Sequence, residues 1–393
     1  MEHPLGRWIY LGYIGAGNVG DDLMAERFLA QLDPAALADT VVLGRSAARP
    51  KFLESMPVRY ARASAKASLR HIPGAAGLVI LGGTNFHDAV SDAEWRSFRL
   101  KLWSLTGVIG LCRLFGGKVV HLGVGIGPLR RPGARRVAAM ALRLGSLVVL
   151  RDRSSAALCW QLGVREPHEA YDLGFLDLPP AGPAEDSGRI LGLAPTTLGG
   201  LPDVPADIDL AFWTAMCARI AERSAEGAIA KVRIFVFNVS QGLSDDQVLC
   251  RDILSRLSDH GVTTELVLYE ETPAEILRSM RECATVMAFR YHSAIAAALL
   301  GKRLLLVPYH RKVLDLVEQL GLDLDDVLIP IQPSAADLEA EIARAAKRLD
   351  IAGRPALDRP GIAARMRRAL MLAKKAGIPL RDDEISGASA ETA

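Results

Sequence analysis

Two places in the chain put an arginine between an apolar run and the start of a helical pattern. One is Arg151-Asp152, which follows the run 147–150 and leads to Ser154 as a helix cap. The other is Arg290-Tyr291-His292-Ser293, which follows the run 285–289. A helix start offers unpaired N–H groups and the positive end of the helix dipole, so it favours phosphate or carboxylate. Arginine adds a planar fork that grips either anion with two hydrogen bonds. His292 lies two residues past Arg290, and a histidine beside an anionic substrate suits general acid–base work around neutral pH. A single arginine of this kind is more often a structural ion-pair partner, as Arg151 would be with Asp152. The repetition, one in each half of the chain, is what points to function, with Arg151 and Arg290 converging on one small anion if the two halves face each other.

Glycine-rich turns follow three other apolar runs. After residues 8–11 comes Gly12 and then Gly15-Ala16-Gly17-Asn18-Val19-Gly20, leading through Asp21 and Asp22 into a helical pattern. After 78–81 come Gly82 and Gly83, then His87 and Asp88, and after 119–122 come Gly123, Gly125 and Gly127-Pro128. The first turn satisfies the dinucleotide fingerprint G-x-G-x-x-G in the required strand-to-helix context. The acid that should end the second strand is absent, and Arg45 stands there instead, a possible grip for a 2′-phosphate. Two carboxylates in the first helical turn argue against a bound pyrophosphate. A tight turn that needs small residues for packing explains the glycines equally well. No histidine or carboxylate spacing suggests a metal site. The five cysteines contain no C-x-x-C pair, which argues against a zinc ribbon or a disulfide framework and fits a reducing compartment.

The elements that must position these residues alternate. Continuous apolar runs near 8–13, 40–43, 78–81, 119–122 and 147–150 are separated by helical patterns at 21–32, 92–115 and 132–145. That is the signature of a parallel sheet covered on both faces. The Pro- and Gly-rich stretch 179–188 interrupts the pattern, which then restarts with runs at 190–194, 232–239, 264–269, 285–289 and 303–307. The reading is α/β: two Rossmann-like parallel-sheet domains facing a cleft, at 1–178 and 189–352, joined by a linker at 179–188. A basic helix at 353–381 and a disordered tail at 382–393 complete the chain. The segment 354–377 could lie on an anionic membrane surface, although a terminal helix packed back onto the domains with a solvated basic face is the favoured account.

The 393 residues carry 47 basic and 45 acidic side chains, so no global field draws in nucleic acid. Half the residues are hydrophobic, an ordinary globular balance. The start of the chain lacks the apolar core of a signal peptide, and the most lipid-like stretch, 102–129, is broken by Arg113, Lys118 and His121. A cytoplasmic protein is expected, peripheral to the membrane at most.

Read together, these strand ends resemble the polysaccharide pyruvyl transferase family. Its strand–G-x-x-G-x-G-N-x-G-D–helix pattern matches residues 12–21, and its glycine turn ending in Asp matches 82–88, with Thr84 in place of a third glycine. Its G-x-G-I-G-P run is 123–128, its R-D-x-x-S run starts at Arg151, and its R-x-H signature is Arg290-Tyr291-His292. A following Y-x-x-K is Tyr309 to Lys312, and the family's polar loop is loosely matched at 238–246.

The resemblance implies a fold similar to GT-B glycosyltransferases and transfer of pyruvate from phosphoenolpyruvate to a saccharide or lipid-linked saccharide. The product is a pyruvate ketal, and phosphate leaves. It implies catalytic roles for His292, Arg290 and Arg151, and substrate contacts from Gly15, Gly17, Asn18, Gly20, Asp21, Gly82, Gly83, Asp88, Tyr309 and Lys312. No metal and no redox cofactor is implied, phosphoenolpyruvate being the donor co-substrate. Three other readings stay open. They are a glycosyltransferase using a sugar nucleotide, with Glu270 or Glu271 on the ribose; an NADP oxidoreductase; and a non-catalytic glycan-binding protein.

Overall fold

The computed structural model describes residues 6–88, 92–177, 189–198, 208–239, 245–270, 272–307, 311–322, 338–350 and 355–382. The expected linker and all but the first residue of the expected tail lie outside these. The chain divides into two compact units, each α/β, and the division is interleaved. The first unit holds Met1–Ala16, Asp21–Asp177 and Pro360–Ala393; the second holds Gly17–Gly20 and Leu178–Arg359.

The first unit is built on β1 (Trp8–Leu11), β2 (Val41–Gly44), β3 (Arg59–Arg62), β4 (Gly77–Leu81), β6 (Lys118–Ile126), β7 (Leu147–Leu150) and β8 (His168–Glu169), with β5 (Thr84–Phe86) pairing β6. The order is β3-β2-β1-β4-β6-β7-β8, and the pairs are parallel. Segments such as VVLG and GLVIL are buried along their whole length, as a sheet covered on both faces requires. Gly77 is forced by packing, because a Cβ there would lie 2.4 Å from the Trp8 ring.

Chain reversal in this unit is made by α1 (Val19–Leu29), α2 (Pro34–Leu37), α3 (Ala65–His71), α4 (Asp92–Leu114), α5 (Pro132–Arg143) and α6 (Arg153–Gln161). The start of α6 is capped by Asp152, whose carboxylate accepts the Ser155 N–H at 2.7 Å, so Ser154 is not the cap. The short strands β3, β5 and β8 have no continuous apolar run; β3 reads RYAR and is half exposed at an edge.

The second unit holds β9 (Ile190–Ala194), β10 (Lys231–Phe235), β11 (Thr264–Val267), β12 (Thr285–Ala288) and β13 (Arg303–Leu306), ordered β11-β10-β9-β12-β13 and parallel. Its helices are α7 (Ile208–Ala225), α8 (Gln247–Asp259), α9 (Pro273–Arg281), α10 (Tyr291–Leu299), α11 (Arg311–Gln319) and α12 (Leu338–Lys347). Phe212, Trp213 and Phe289 form an aromatic cluster at its centre, with Trp213 stacked on Phe289 at 5.2 Å. The sequence of α10, YHSAIAAAL, is almost wholly buried, so this helix is apolar all round rather than amphipathic.

The basic terminal helix α13 (Arg359–Lys375) packs back as favoured. It buries Ile362, Met366, Ala369, Leu370 and Ala373, and the chain beyond it bridges Leu380 to Leu32. Arg365 pairs with Glu169 at 2.9 Å and lies over the Tyr171 ring. All five cysteines are free and buried, and burial pushes the thiols of Cys159, Cys217 and Cys283 up to about 12. Among the described residues no helix is long and apolar enough to cross a membrane.

Candidate functional site

In open parallel sheets, ligands bind beyond the carboxyl ends of the strands where the strand order reverses. In the second unit that point lies between β9 and β12. Arg290 follows β12 there and serves as the cap residue of α10, with extended backbone (φ −84°, ψ 143°). The Ser293 hydroxyl donates to its carbonyl at 2.7 Å and fixes the turn. The guanidinium is gripped from one side by Asp246: Nε donates to Oδ2 and Nη2 to Oδ1, both at 2.6 Å.

Asp246 is 1% exposed and Arg290 17%, so the pair is nearly out of water with the arginine toward it. Burial pushes the Asp246 carboxyl above its usual range, and the Arg290 charge, the Thr196 hydroxyl and the Asn238 backbone pull it back. A held arginine of this kind is preorganised for an anion, since its fork is fixed before any ligand arrives.

His292 sits one residue into α10, its ring edge-on to buried Tyr291 at 5.4 Å. Its other face meets Gly20. A Cβ on Gly20 would lie 2.0 Å from Nδ1 and 2.2 Å from Cγ of His292, so glycine is the only residue that leaves the imidazole where it is. The segment Gly17–Gly20 is tied to the second unit by its backbone. Val19 N–H donates to the Phe237 carbonyl, Val239 N–H to that of Gly17, and Asn18 bridges Asn238. The Asn18 side chain accepts the Gly20 N–H at 3.0 Å, as a helix cap does.

The glycine fingerprint is therefore taken up by protein. The Gly15 N–H, which a pyrophosphate would need, donates to Asp22 at 2.6 Å, and the space over Gly20 holds His292. This weighs against a dinucleotide cofactor.

In the first unit the strand order reverses between β1 and β4, and a cavity of about 480 Å³ lies there, reached by Leu11, Ile80 and Gly83. Its polar groups are Asp21, Arg45, Thr84, Asn85, His87 and Lys101, and Tyr13 and Phe98 add aromatic faces. Gly82 and Gly83 take positive φ (54° and 67°), and a Cβ on Gly83 would meet Asp21 Oδ1 at 3.1 Å. The pair therefore lets the backbone pass beneath the Asp21 carboxylate. The Asn85 amide donates back to the Gly82 carbonyl at 2.8 Å, and the His87 ring lies tilted against Phe98, their centroids 4.4 Å apart.

Two other expected site residues, Arg151 and Asp88, are held by protein groups of the first unit. Arg151 follows β7, two strands away from the reversal, and is 3% exposed. Its guanidinium lies 3.4 Å from Asp152 and 3.3 Å from Asp172, and it donates to the Thr84 hydroxyl at 2.8 Å. Two buried carboxylates lie against it, and it holds the Thr84 hydroxyl from behind. The matching strand–Arg–helix construction in the two halves hides this difference in topological position.

Asp88 is 2% exposed. Its carboxylate accepts the Arg131 N–H, its carbonyl accepts from the Arg131 guanidinium at 2.7 Å, and its N–H donates to the Pro128 carbonyl. These bonds fix the turn into α5. Tyr309 lies outside the described residues, and of Lys312 only the backbone of α11 is described.

The residues that sequence reasoning missed are Asp246 and Thr196 around Arg290, Asp172 beside Arg151, and the cavity groups Asn85, Lys101 and, as a binding residue, His87. Asp246 stands in SDDQ just before a helical pattern, where an acid reads as an ordinary cap.

Among solved structures, the chain is similar to UDP-GlcNAc 2-epimerase from Methanocaldococcus jannaschii: TM-score 0.55, 10% identity, 93% of this chain and 99% of that one covered. It is also similar to S. aureus MnaA, solved with UDP: TM-score 0.51, 10% identity, 93% and 97% covered. At that identity the likeness supports the fold alone, α/β with two parallel sheets of the GT-B kind. No curated protein sequence matches the chain. The model of the family described as polysaccharide pyruvyl transferase matches residues 18–311, three-quarters of the chain, and on that match the chain belongs to the polysaccharide pyruvyl transferase family.

Proposed function

We propose that this chain transfers pyruvate from phosphoenolpyruvate onto two hydroxyls of a saccharide, forming a cyclic ketal and releasing phosphate. One observation carries the reading. In a chain that matches this family over residues 18–311, Arg290 stands at the strand-order reversal of the second unit, oriented by Asp246, with His292 beside it on the same helix start.

Phosphoenolpyruvate carries a carboxylate and a phosphate, and the Arg290 fork with the first N–H groups of α10 suits one of them. The reaction moves two protons from the acceptor hydroxyls. One ends on the methylene carbon, which becomes a methyl group, and the other leaves with phosphate. Two C–O bonds to C2 form as the C=C π bond and the C–O bond to phosphate break. His292 is the group placed to carry a proton, and Gly20 keeps its ring in place. Arg290 stabilises charge on the departing phosphate.

The first-unit cavity suits the saccharide. Asp21, Thr84, Asn85 and His87 can meet hydroxyls, and Tyr13 and Phe98 offer faces for a sugar ring. Arg151 acts there as a positioning residue, through Thr84. The donor places the enzyme in the cytoplasm, and a lipid-linked saccharide is the acceptor class consistent with the family resemblance. The sugar-nucleotide reading is less well served: Glu270 follows β11, at the sheet edge and away from the reversal, and Glu271 lies outside the described residues.

The test is phosphate release from phosphoenolpyruvate on addition of bacterial oligosaccharide pools, comparing wild type with Arg290→Met and His292→Gln. Release that both variants lose supports the proposal. Release that both retain, or acceptor modification that requires a sugar nucleotide instead, removes it.

A further inference from the structure

The charge of this chain is unevenly distributed. Overall it is +2, yet between residues 95 and 165 there are thirteen lysines and arginines and a single acid, Asp152. That acid is buried as the cap of α6 beside Arg151, so it does nothing to offset the surface charge. The stretch contains α5, α6 and all of α4 but its first three residues, Asp92, Ala93 and Glu94; these helices are the crossovers that step in one direction along β4-β6-β7-β8. Right-handed crossovers that step the same way lie on the same face of the sheet, and α4 packs along α5. The three helices therefore form one layer of the first unit.

The outer surface of that layer is apolar as well as basic. On α4, Arg96, Leu100, Trp103, Gly107, Gly110 and Leu114 recur at the three- and four-residue spacing of one helical stripe. This stripe is opposite to the face that buries Leu102, Ile109 and Cys112. Leu100 is 63% exposed, Trp103 50% and Leu114 80%. A Cβ on Gly107 or Gly110 would meet nothing within 4 Å. Phe115, Met140 of α5 and Trp160 of α6 are exposed on the same layer. Arg96, Arg99 and Arg136 make no ion pair among the described residues. Past the two acids of its first turn, Asp92 and Glu94, α4 presents tryptophan and leucine with arginine alongside, the composition of a surface that rests in the interface of a membrane.

We propose that the outer face of α4, with the neighbouring surface of α5 and α6, docks on an anionic phospholipid membrane. The apolar side chains enter the headgroup boundary and the arginines meet lipid phosphates. Charge decides among the occupants. A second copy of this chain would bring the same excess of positive charge to the contact and be repelled, which an anionic lipid surface is not. The protruding tryptophans and leucines favour lipid over a polyanion that offers only phosphates. The terminal helix α13, the other basic segment, is poorly suited, because its apolar residues Ile362, Met366 and Leu370 are buried in the protein and Arg365 is paired with Glu169. The proposal does not depend on the donor chemistry.

The test is co-sedimentation of the full chain with vesicles of phosphatidylcholine alone or mixed equally with phosphatidylglycerol. Each basic residue held near an anionic surface adds about fivefold to partitioning, so Arg96→Gln with Arg99→Gln should lower binding about twenty-five-fold. Leu100→Glu with Trp103→Glu should abolish it. Both pairs are on the surface, so the melting midpoint should stay at the wild-type value, and high salt should weaken wild-type binding. Arg367→Glu with Arg368→Glu on α13 should leave binding in place. The proposal is overturned if the wild type ignores anionic vesicles, if the α4 variants still bind them, or if the α13 variant alone loses them. It is equally overturned if sedimentation equilibrium shows that the α4 substitutions dissolve a dimer without changing vesicle binding.

Discussion

Gly20→Ala isolates the contact that places the proposed proton carrier. The backbone at Gly20 is outside the positive-φ region, so alanine adds no backbone strain, and the whole effect comes from one methyl group. That methyl would lie 2.0 Å from Nδ1, 2.2 Å from Cγ and 2.6 Å from Cβ of His292, far inside van der Waals contact. The first turn of α1 is pinned by Asn18 and by the Phe237 carbonyl, so the imidazole is what must move. Overpacking of this kind costs roughly 1–3 kcal/mol, and at roughly 2–4 °C per kcal/mol for a unit of this size the midpoint falls by a few degrees or more. Misplacing a general acid–base group costs about 10²–10⁴ in rate.

The decisive comparison is a double-mutant cycle read by thermal and urea unfolding, which needs no acceptor. In a His292→Gly background the imidazole and its Cβ, the three atoms the methyl would strike, are gone, so Gly20→Ala should then cost close to nothing. A strongly non-additive cycle of about 1–3 kcal/mol is expected. Additive losses would refute the reasoning, because they would mean that the imidazole is not the group the methyl displaces.

Three further outcomes rest on the same geometry. Asp246→Asn leaves the half-buried Arg290 without its counter-charge and should cost roughly 3–5 kcal/mol in urea unfolding, whereas Asp246→Leu with Arg290→Met should cost less. Arg151→Met takes the cation from between two buried carboxylates and should destabilise by a similar amount of roughly 3–5 kcal/mol in urea unfolding. His121 is wholly buried, and burial pushes its imidazole from 6.5 down to about 4. The folded state therefore holds it neutral, and stability is full above the unfolded value and lost as pH falls toward the folded one, by about 3 kcal/mol in total. His121→Leu should flatten that acid limb in urea midpoints measured against pH.

Much of the fold was legible because the buried strands are continuous apolar runs: 147–150 and 190–194 coincide with β7 and β9 to the residue. The edge strands β3 and β8 escaped because half-exposed strands need no such run. Arg290 and His292 stand at the helix start where the motif implied. The sequence puts Arg151 after a strand but does not show where that strand lies in the sheet, two strands from the reversal. Asp246 was invisible as a partner, since 44 residues separate it from Arg290 and only the strand order brings them together. The fingerprint at 15–20 matched a dinucleotide site letter by letter, yet Asp22 and His292 occupy the space that a cofactor would take.

The central claim is that the Arg290–Asp246 pair receives phosphoenolpyruvate, and calorimetric titration of the full chain with phosphoenolpyruvate tests it most directly. Saturable binding that Arg290→Met abolishes and His292→Gln preserves is the predicted result. Absence of binding, or binding that survives Arg290→Met unchanged, would contradict it.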